Sequence, residues 1–506
     1  MSLNNYDVVL VSPPSRMVNH YRAPIALMYI AGYLRHEGLK VKIIDIPMRE
    51  TVRSRNFYLH IQDVLRDIEE RMINEYTEVS SSPIVGITCY STELLEVTNL
   101  ANRFKAINPN VKIVVGGAHP TLYPESIFEE PGRPIDFAVI GDGEITMCDL
   151  SKKILSSQSD YAQVDGIAFY DDISGRMIQT RPRNIVHDLD SISFPAYDLV
   201  DMQYYSTASP YAIKGVLLRA AHIMGGRGCP SQCTFCVAKY VRKASGGAKY
   251  LRMRTAESLF LEVKLLKEKY EVDAFLFLDD LFTLDKKNTI DFCNLILRDN
   301  IKMPWSCISK VSTLDEEMIK KMAEAGCIQI EFGVERGSNR ALKLIKKGIT
   351  IEEIINVFDI CHKYGIRTYA NMLVNLPQEQ EQDLEDILQL LKRLKSEIVA
   401  INTFVPYPGT EIYNNWDRKF TREEYGLLSF ANPGSDGMIK SLRFAQHNID
   451  LSVWVHKHWR TQNKVWPHIR FYVSPKYWRT ICHSQRKLDY LRGVGLLVRE
   501  FINNKF

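Results

Sequence analysis

Along residues 1–150, short apolar runs alternate with longer stretches of helical spacing. Tyr6–Ser12 (YDVVLVS) is a valine-rich run closed by Pro13 and Pro14, the pattern of a buried strand entering a loop. Ile25–Glu37 spaces its apolar residues as a helix does, and Gly38 stops it. Val41–Ile46 predicts a second strand, Phe57–Tyr76 a helix, Ile84–Tyr90 a third strand, Val111–Val115 a fourth and Phe137–Ile140 a fifth. Ser91 and Thr92 are expected to cap the helix after the third strand. This alternation predicts a doubly wound parallel sheet. Over Asp165–Ile178 the period switches to two around Ile173-Ser174-Gly175-Arg176, a hairpin signal, and Asp188–Leu199 is loop-rich.

A second alternating series follows. Its strands are expected to end at Gly225 and to cover Ala274–Leu278, Trp305–Ser309, Ile328–Val334, Thr368–Val374 and Ile398–Phe404. Helices are expected over Thr255–Tyr270, Asp315–Ala325, Ser338–Lys347 and Glu381–Lys395. Six such units predict a partial (βα)6 barrel, open at one side, with its chemistry at the carboxyl ends of the strands. The expected organisation is α/β throughout: a Rossmann-like domain (1–150), a hairpin and linker (151–214), the partial barrel (215–415) and a small, mainly helical C-terminal extension (416–506).

Bulk composition changes this picture little. The 506 residues are 25% charged and 45% apolar, an ordinary globular balance for two to four domains. No run approaches the ~18 apolar residues of a membrane span. The first residues lack the basic and apolar regions of a secretory signal, and scattered cysteines suit a reducing cytoplasm. The net charge of +4 is uneven: residues 440–506 carry 13 Lys/Arg against Asp450, Asp489 and Glu500. Aromatics interleave with those cations, and five of the six tryptophans lie beyond residue 415. Three readings stand: a helical lid with an aromatic core, peripheral contact with a membrane surface, or recognition of an anionic substrate. Leu491–Ile502 is apolar enough for a surface anchor, although Gly493 and Gly495 weaken it as a helix.

The chemistry points to Cys229, Cys233 and Cys236, spaced C-x3-C-x2-C on a glycine-rich loop after the barrel's first strand. Four thiolates would saturate a [4Fe–4S] cluster or a tetrahedral zinc, whereas three leave one iron open to a ligand. The plainer readings are half a zinc site or three buried thiols. The other seven cysteines form no second close pair, so a zinc ribbon lacks its other half. In the first domain, glycines recur just past strand ends, at Gly116-Gly117 and Gly141–Glu144, where such sheets bind ligands. No G-x-G-x-x-G or Walker string opens a helix, which argues against nicotinamide and nucleoside triphosphate.

The cysteine loop resembles the signature of radical S-adenosylmethionine (radical SAM) enzymes. The order of elements over residues 5–150, with VGGAHPTLYPE and VIGDGE, resembles the cobalamin-binding domain fused to many of them. The histidine motif D-x-H-x-x-G of many cobalamin domains is absent. The resemblance implies a [4Fe–4S] cluster held by Cys229, Cys233 and Cys236, S-adenosylmethionine on the open iron, and cobalamin upstream. By position, Thr88, Ser91 and Thr92 would line one face of the cobalamin site. Gly116, Gly117, His119 (in a loop), Gly141, Gly143 and Glu144 would complete it. Phe235 would pack near the adenine. Asp279 and Asp280 would meet the methionyl ammonium, unless they merely cap the next helix. Ser306 and Lys310 would meet the carboxylate, Glu331 or Glu335 the ribose, and Asn371 the fifth-strand loop. There Asn375 and Gln378 replace both glycines of the family's glycine-leucine-proline-glycine run, which puts backbone-only contacts in doubt.

The implied activity is methylation of an unactivated carbon of a small or lipid-like metabolite, through a 5′-deoxyadenosyl radical and methylcobalamin. The implied partners are that substrate and a reductant such as flavodoxin or ferredoxin. Nucleic acid is not expected, because no RNA-binding module is appended. The rivals are a radical cyclase or oxidase, a tRNA methylthiotransferase, and a non-enzymatic cobalamin or cluster sensor. The methylthiotransferase class carries three further cysteines in its N-terminal domain, whereas this chain has only Cys89 and Cys148 there.

Overall fold

The computed structural model describes residues 6–14, 22–46, 79, 81–245, 250–425, 442–462 and 470–503. The expected helix Phe57–Tyr76 lies outside the described residues. The chain divides into two compact units. One comprises Met1–Asp201, Cys236–Tyr250 and Pro406–Ser429, the other Met202–Phe235, Leu251–Val405 and Phe430–Phe506.

The first unit is built on a seven-stranded sheet of β1 (Val8–Ser12), β2 (Val41–Asp45), β3 (Ile84–Thr88), β4 (Lys112–Gly116), β5 (Phe137–Val139), β6 (Ile167–Asp171) and β7 (Arg176–Gln179). Their order is β2-β1-β3-β4-β5-β6-β7. The first five are parallel, and the β6–β7 hairpin extends the sheet antiparallel to β5. Val8–Val11 are all buried, as expected of a parallel strand covered on both faces. The helices are α1 (Ile25–His36), α2 (Leu94–Ile107), α3 (Ala118–Leu122), α4 (Gly143–Leu155) and α5 (Ala238–Ala244). The strand order reverses between β1 and β3, and ligands of such sheets bind at the carboxyl edge beside that reversal.

Two local expectations at that edge are corrected. Ser91 and Thr92 do not cap α2. They begin a single 3-10 turn, Ser91–Glu93, in which the Glu93 carboxylate accepts from the Tyr90 N–H at 3.3 Å. His119 lies not in a loop but in α3, with 1% of its surface exposed. Its ring nitrogens both have partners at 2.8 Å, Nδ1 with Ser91 Oγ and Nε2 with Ser126 Oγ. Ser126 Oγ donates to Tyr123 O, so it accepts from Nε2–H, and Nδ1 accepts from the Ser91 hydroxyl. His119 is therefore a neutral ring closing β3 against α3. No nitrogen is left to contact a cofactor.

The second unit opens with the hairpin β8 (Ser209–Ile213) and β9 (Val216–Leu218), followed by β10 (Ala220–Ile223). A short antiparallel pair, β11 (Gly226–Arg227) and β12 (Arg252–Met253), precedes the remaining strands. These are β13 (Ala274–Phe277), β14 (Trp305–Ser309), β15 (Cys327–Glu335), β16 (Arg367–Val374) and β17 (Ile398–Thr403). The sheet runs β10-β13-β14-β15-β16-β17, all parallel and in chain order, as a partial (βα)6 barrel requires. Its helices are α6 (Ala256–Tyr270), α7 (Lys286–Arg298), α8 (Glu316–Glu324), α9 (Asn339–Leu344), α10 (Ile351–Lys363) and α11 (Glu381–Leu394). Thr255, Asp285, Asp315, Ser338 and Thr350 start five of them, each side chain accepting from the N–H three residues on.

Strand alternation sorts the side chains. Phe275, Phe277 and Trp305 pack with Phe282 and Phe292, and the Trp305 indole N–H donates to Ala325 O at 2.9 Å. On the opposite face His222, Leu276, Ser306, Gln329 and Arg367 stand in register across five strands. The extension adds α12 (Leu451–Gln462), α13 (Pro475–His483) and α14 (Lys487–Asn503). Tyr477 and Tyr490 from the last two join the β8–β9 hairpin, Ala274, Leu276 and Ile328 in one core.

Trp305→Ala should cost ~3–5 kcal/mol, because it empties the centre of the aromatic layer; urea denaturation checks this. His119 predicts an acid-sensitive stability. Burial lowers its pKa from 6.5 to about 4. The unfolded chain therefore takes the proton first, and stability falls as pH drops from 6.5 towards 4, by about 3 kcal/mol in all. In His119→Gln, thermal melts over that window should lose this slope.

Candidate active site

The cysteine loop leaves the carboxyl end of β10, where barrel chemistry lies. Its backbone is pinned before the first cysteine. A Cβ on Gly226 would lie 2.4 Å from Met253 Sδ and 2.9 Å from Arg252 O, so only glycine fits against β12. Gly228 takes a φ of +90°, a conformation that glycine adopts freely. Beyond it the Thr234 N–H donates to Ile345 O at 3.1 Å. None of the three cysteines is in a disulfide; Cys233 is buried, and Cys229 and Cys236 are partly exposed.

Asp279, just past β13, holds the start of this loop. Its carboxylate accepts from the Gly225 N–H at 2.9 Å, and Oδ1 has no partner. The side chain is buried, and burial pushes its pKa up to about 7. The reading of Asp279 and Asp280 as helix caps is corrected, because Asp285 caps α7 by accepting from the Asn288 N–H. Asp280 is solvent-exposed, yet enough protein surrounds it that desolvation raises its pKa.

Two lysines approach the loop from later strands. Lys310 Nζ donates to Ser231 Oγ at 3.2 Å. Lys347 Nζ sits 6.0 Å from the centre of the Phe235 ring and pairs with Glu335 at 3.0 Å. Burial raises the Cys233 pKa, and the Lys347 and Lys310 charges oppose that shift. Ser306 lies on the face lined by His222 and Gln329, with its Oγ buried and unpartnered. Glu331 pairs with Lys214 at 2.9 Å and keeps Oε1 unpartnered. The Asn371 amide reaches Phe332 O at 3.5 Å.

The fifth-strand loop explains the missing glycines. Asn375 and Gln378 both adopt positive φ, +69° and +62°. The Asn375 side chain does work that glycine cannot. Nδ2 donates to Leu442 O at 2.8 Å, and Oδ1 accepts from Phe444 N–H at 2.9 Å. Glu379 joins in: its Oε1 accepts from the Asn375 N–H at 3.1 Å and lies 3.0 Å from His447 Nε2, while Oε2 pairs with Arg336. This buried clasp between residues 375–379 and 442–447 escapes sequence reading, because its two sides lie almost 70 residues apart.

In the first unit, Thr88, Ser91, Thr92, Gly116 and Gly117 gather at the ends of β3 and β4. Thr88 stands opposite Gly116 in register. Gly117 has a φ of +114°, and a Cβ there would lie 2.8 Å from Cys89 O. Thr92 Oγ1 is buried without a partner. Gly141 and Glu144 line a cavity with Asp142, Thr180, Arg183 and Ser245. Gly143 instead packs against Ile30 and opens α4.

Among the described residues no three His, Cys, Asp or Glu side chains converge to hold one metal ion. A [4Fe–4S] cluster does not need such convergence, because its three thiolates bind three different irons. The donor set of three cysteine thiols beside two ammonium groups fits an anionic iron–sulfur cluster. The unpartnered Asp279 carboxylate fits a ligand ammonium.

Comparison with known proteins identifies the two domains. The radical SAM superfamily model matches residues 223–391, and the B12 binding domain model matches residues 17–151. An uncharacterised methyltransferase of Pyrococcus horikoshii is 29% identical over 82% of this chain and 86% of its own length. The anaerobic magnesium-protoporphyrin IX monomethyl ester cyclase of Rubrivivax gelatinosus is 24% identical over 81% of this chain and 69% of its own. Among solved structures, the radical SAM methyltransferase TsrM of Kitasatospora setae, with cobalamin and a [4Fe–4S] cluster bound, shares the fold. Its TM-score is 0.62 at 20% identity, covering 81% of this chain and 74% of that one. The chain belongs to the radical SAM enzymes that carry a cobalamin-binding domain, and its cofactors are a [4Fe–4S] cluster, S-adenosylmethionine and cobalamin.

Proposed function

We propose that this enzyme is a C-methyltransferase acting on an unactivated carbon of a small or lipid-like metabolite. The observation that carries the reading is a three-thiolate loop in the same chain as a B12-binding domain, in a protein whose Pyrococcus relative is named a methyltransferase. The bound cofactors supply the radical and the methyl group; the protein supplies position and a dry, shaped site.

Each role assigned to this chain rests on a geometric feature. Cys229, Cys233 and Cys236 hold the cluster. Lys310 and Lys347 place positive charge beside it. Asp279 accepts from the methionyl ammonium through Oδ1 while its other oxygen fixes Gly225. Lys310, just past β14, is placed for the methionyl carboxylate, whereas Ser306, the second residue of that strand, lies near its amino end. Glu331 offers Oε1 to a ribose hydroxyl, whereas Glu335 is taken by Lys347. Thr88, Thr92 and the glycines at 116, 117 and 141 line the cobalamin edge of the first sheet, and His119 does not. A low-potential flavodoxin or ferredoxin supplies the electron.

Anaerobic reconstitution with iron, sulfide and cobalamin, followed by product analysis under reducing conditions, tests the reading. Methylation yields S-adenosylhomocysteine and 5′-deoxyadenosine in similar amounts. 5′-Deoxyadenosine alone would favour the cyclase or oxidase alternative. Cys233→Ala should abolish the cluster's absorbance. Asp279→Asn should leave that absorbance intact and weaken S-adenosylmethionine binding by about 10- to 100-fold, the worth of a charge-assisted hydrogen bond. Since only the carboxylate accepts from an ammonium, wild-type affinity should fall as pH drops below about 7. Titration calorimetry of the asparagine variant should show no such slope.

A further inference from the structure

The C-terminal helix has two unlike faces. One is anchored on the barrel unit. Tyr490 is buried, and a Cβ on Gly493 would lie 2.4 Å from Ala208 O, so that glycine lets α14 settle directly on the backbone just before β8. This corrects the expectation that Gly493 weakens the helix: the close approach it permits outweighs its poor propensity. Asp489 pairs with Arg219, a side chain with no exposed surface, and with Arg486.

The other face is apolar and bare. Leu488 is 72% exposed, Leu491 70% and Val494 48%. At spacings of three residues they form one stripe along α14. Exposed Lys487 and Arg492 flank it. Near the start of α13, Val473 and Trp478 are 67% and 53% exposed. Between Arg470 and Gly495 there are six Lys/Arg and one acid, Asp489. That acid is held by Arg219, Arg486 and Arg492, so the exposed charge of this surface is basic.

We propose that α14, with α13 beside it, docks this enzyme on an anionic phospholipid surface. Isolated exposed apolar residues are ordinary, but a helical stripe of leucine and valine with cations at its margins matches the boundary between headgroups and acyl chains. A nucleic acid would complement the cations and leave the aliphatic stripe without a partner. A second copy of this chain would set two basic surfaces against each other. The anionic bilayer matches both the charge and the stripe, and no helix of the described residues is long and apolar enough to cross it. The inference does not depend on methyl transfer.

Flotation of the full-length, reconstituted enzyme with vesicles tests it. Vesicles of phosphatidylglycerol mixed with phosphatidylcholine should carry the protein; pure phosphatidylcholine should not. Leu488→Glu combined with Leu491→Glu should reduce the bound fraction at least ten-fold, with cluster absorbance and melting temperature unchanged, because both side chains are exposed. Lys487→Glu with Arg492→Glu should weaken binding and its salt sensitivity. Failure to float with anionic vesicles would overturn the proposal. So would equal binding to neutral vesicles, displacement by single-stranded RNA at matched charge, or a dimer in light scattering that the leucine variants dissociate.

Discussion

A carboxylate buried at the end of β13 reaches sideways to the first peptide of the loop leaving β10, and the active site is assembled around that contact. Asp279 fixes Gly225, while Met253 and the Arg252 carbonyl leave room for nothing larger than glycine at 226. With its origin pinned, the cysteine loop meets the neighbouring strands in their spatial order. Lys310, after β14, reaches Ser231, and Lys347, after α9, reaches Phe235. Chain order in the sheet becomes an order of contacts along the loop. A carboxylate kept from water without a cation is unfavourable. In the proposed site, Asp279 would offer Oδ1 to a cationic ligand while its other oxygen holds Gly225.

Much of this was legible in the amino-acid sequence. The strands of both sheets follow from short apolar runs, because strands covered on both faces need no alternation. The placement of Cys229–Cys236 and Asp279 follows from the rule that βα units carry chemistry at their carboxyl ends, whereas Ser306 lies near the amino end of β14. Partnership across long intervals was not legible. His119 looks like a free ring until Ser91 and Ser126 are brought to its two nitrogens. Asn375 looks like a departure from a glycine loop until Leu442 and Phe444 arrive. In both cases residue type and local spacing were read correctly, but the hydrogen-bond partner that decides the role lay beyond any local window.

The aromatic extension divides in a way that composition could not anticipate. Tyr477 and Tyr490 are core, seated on the β8–β9 hairpin, and Tyr472 donates to Gly215 O at 3.4 Å. Trp459 and Trp478 are exposed. The lid-like and surface-seeking readings are therefore two faces of the same helices. Arg219 links them: its buried guanidinium, bonded to Ser206, Glu271 O and Asp489, joins the strand that precedes the cysteine loop to α14.

The clasp at Asn375 bears on where this chain can be cut. Among the described residues β17 pairs with β16 alone, so its other side is a sheet edge there. The residues that lie beside that edge, Phe444 against Phe404 and α12 along β17, come from beyond the stretch recognised as the radical SAM domain. A fragment trimmed at residue 391 would lose β17 together with these residues and leave β16 with a row of unpaired backbone groups, the template on which strands from different molecules add to one another. The boundary of the recognised domain thus falls inside the barrel sheet, before its last strand.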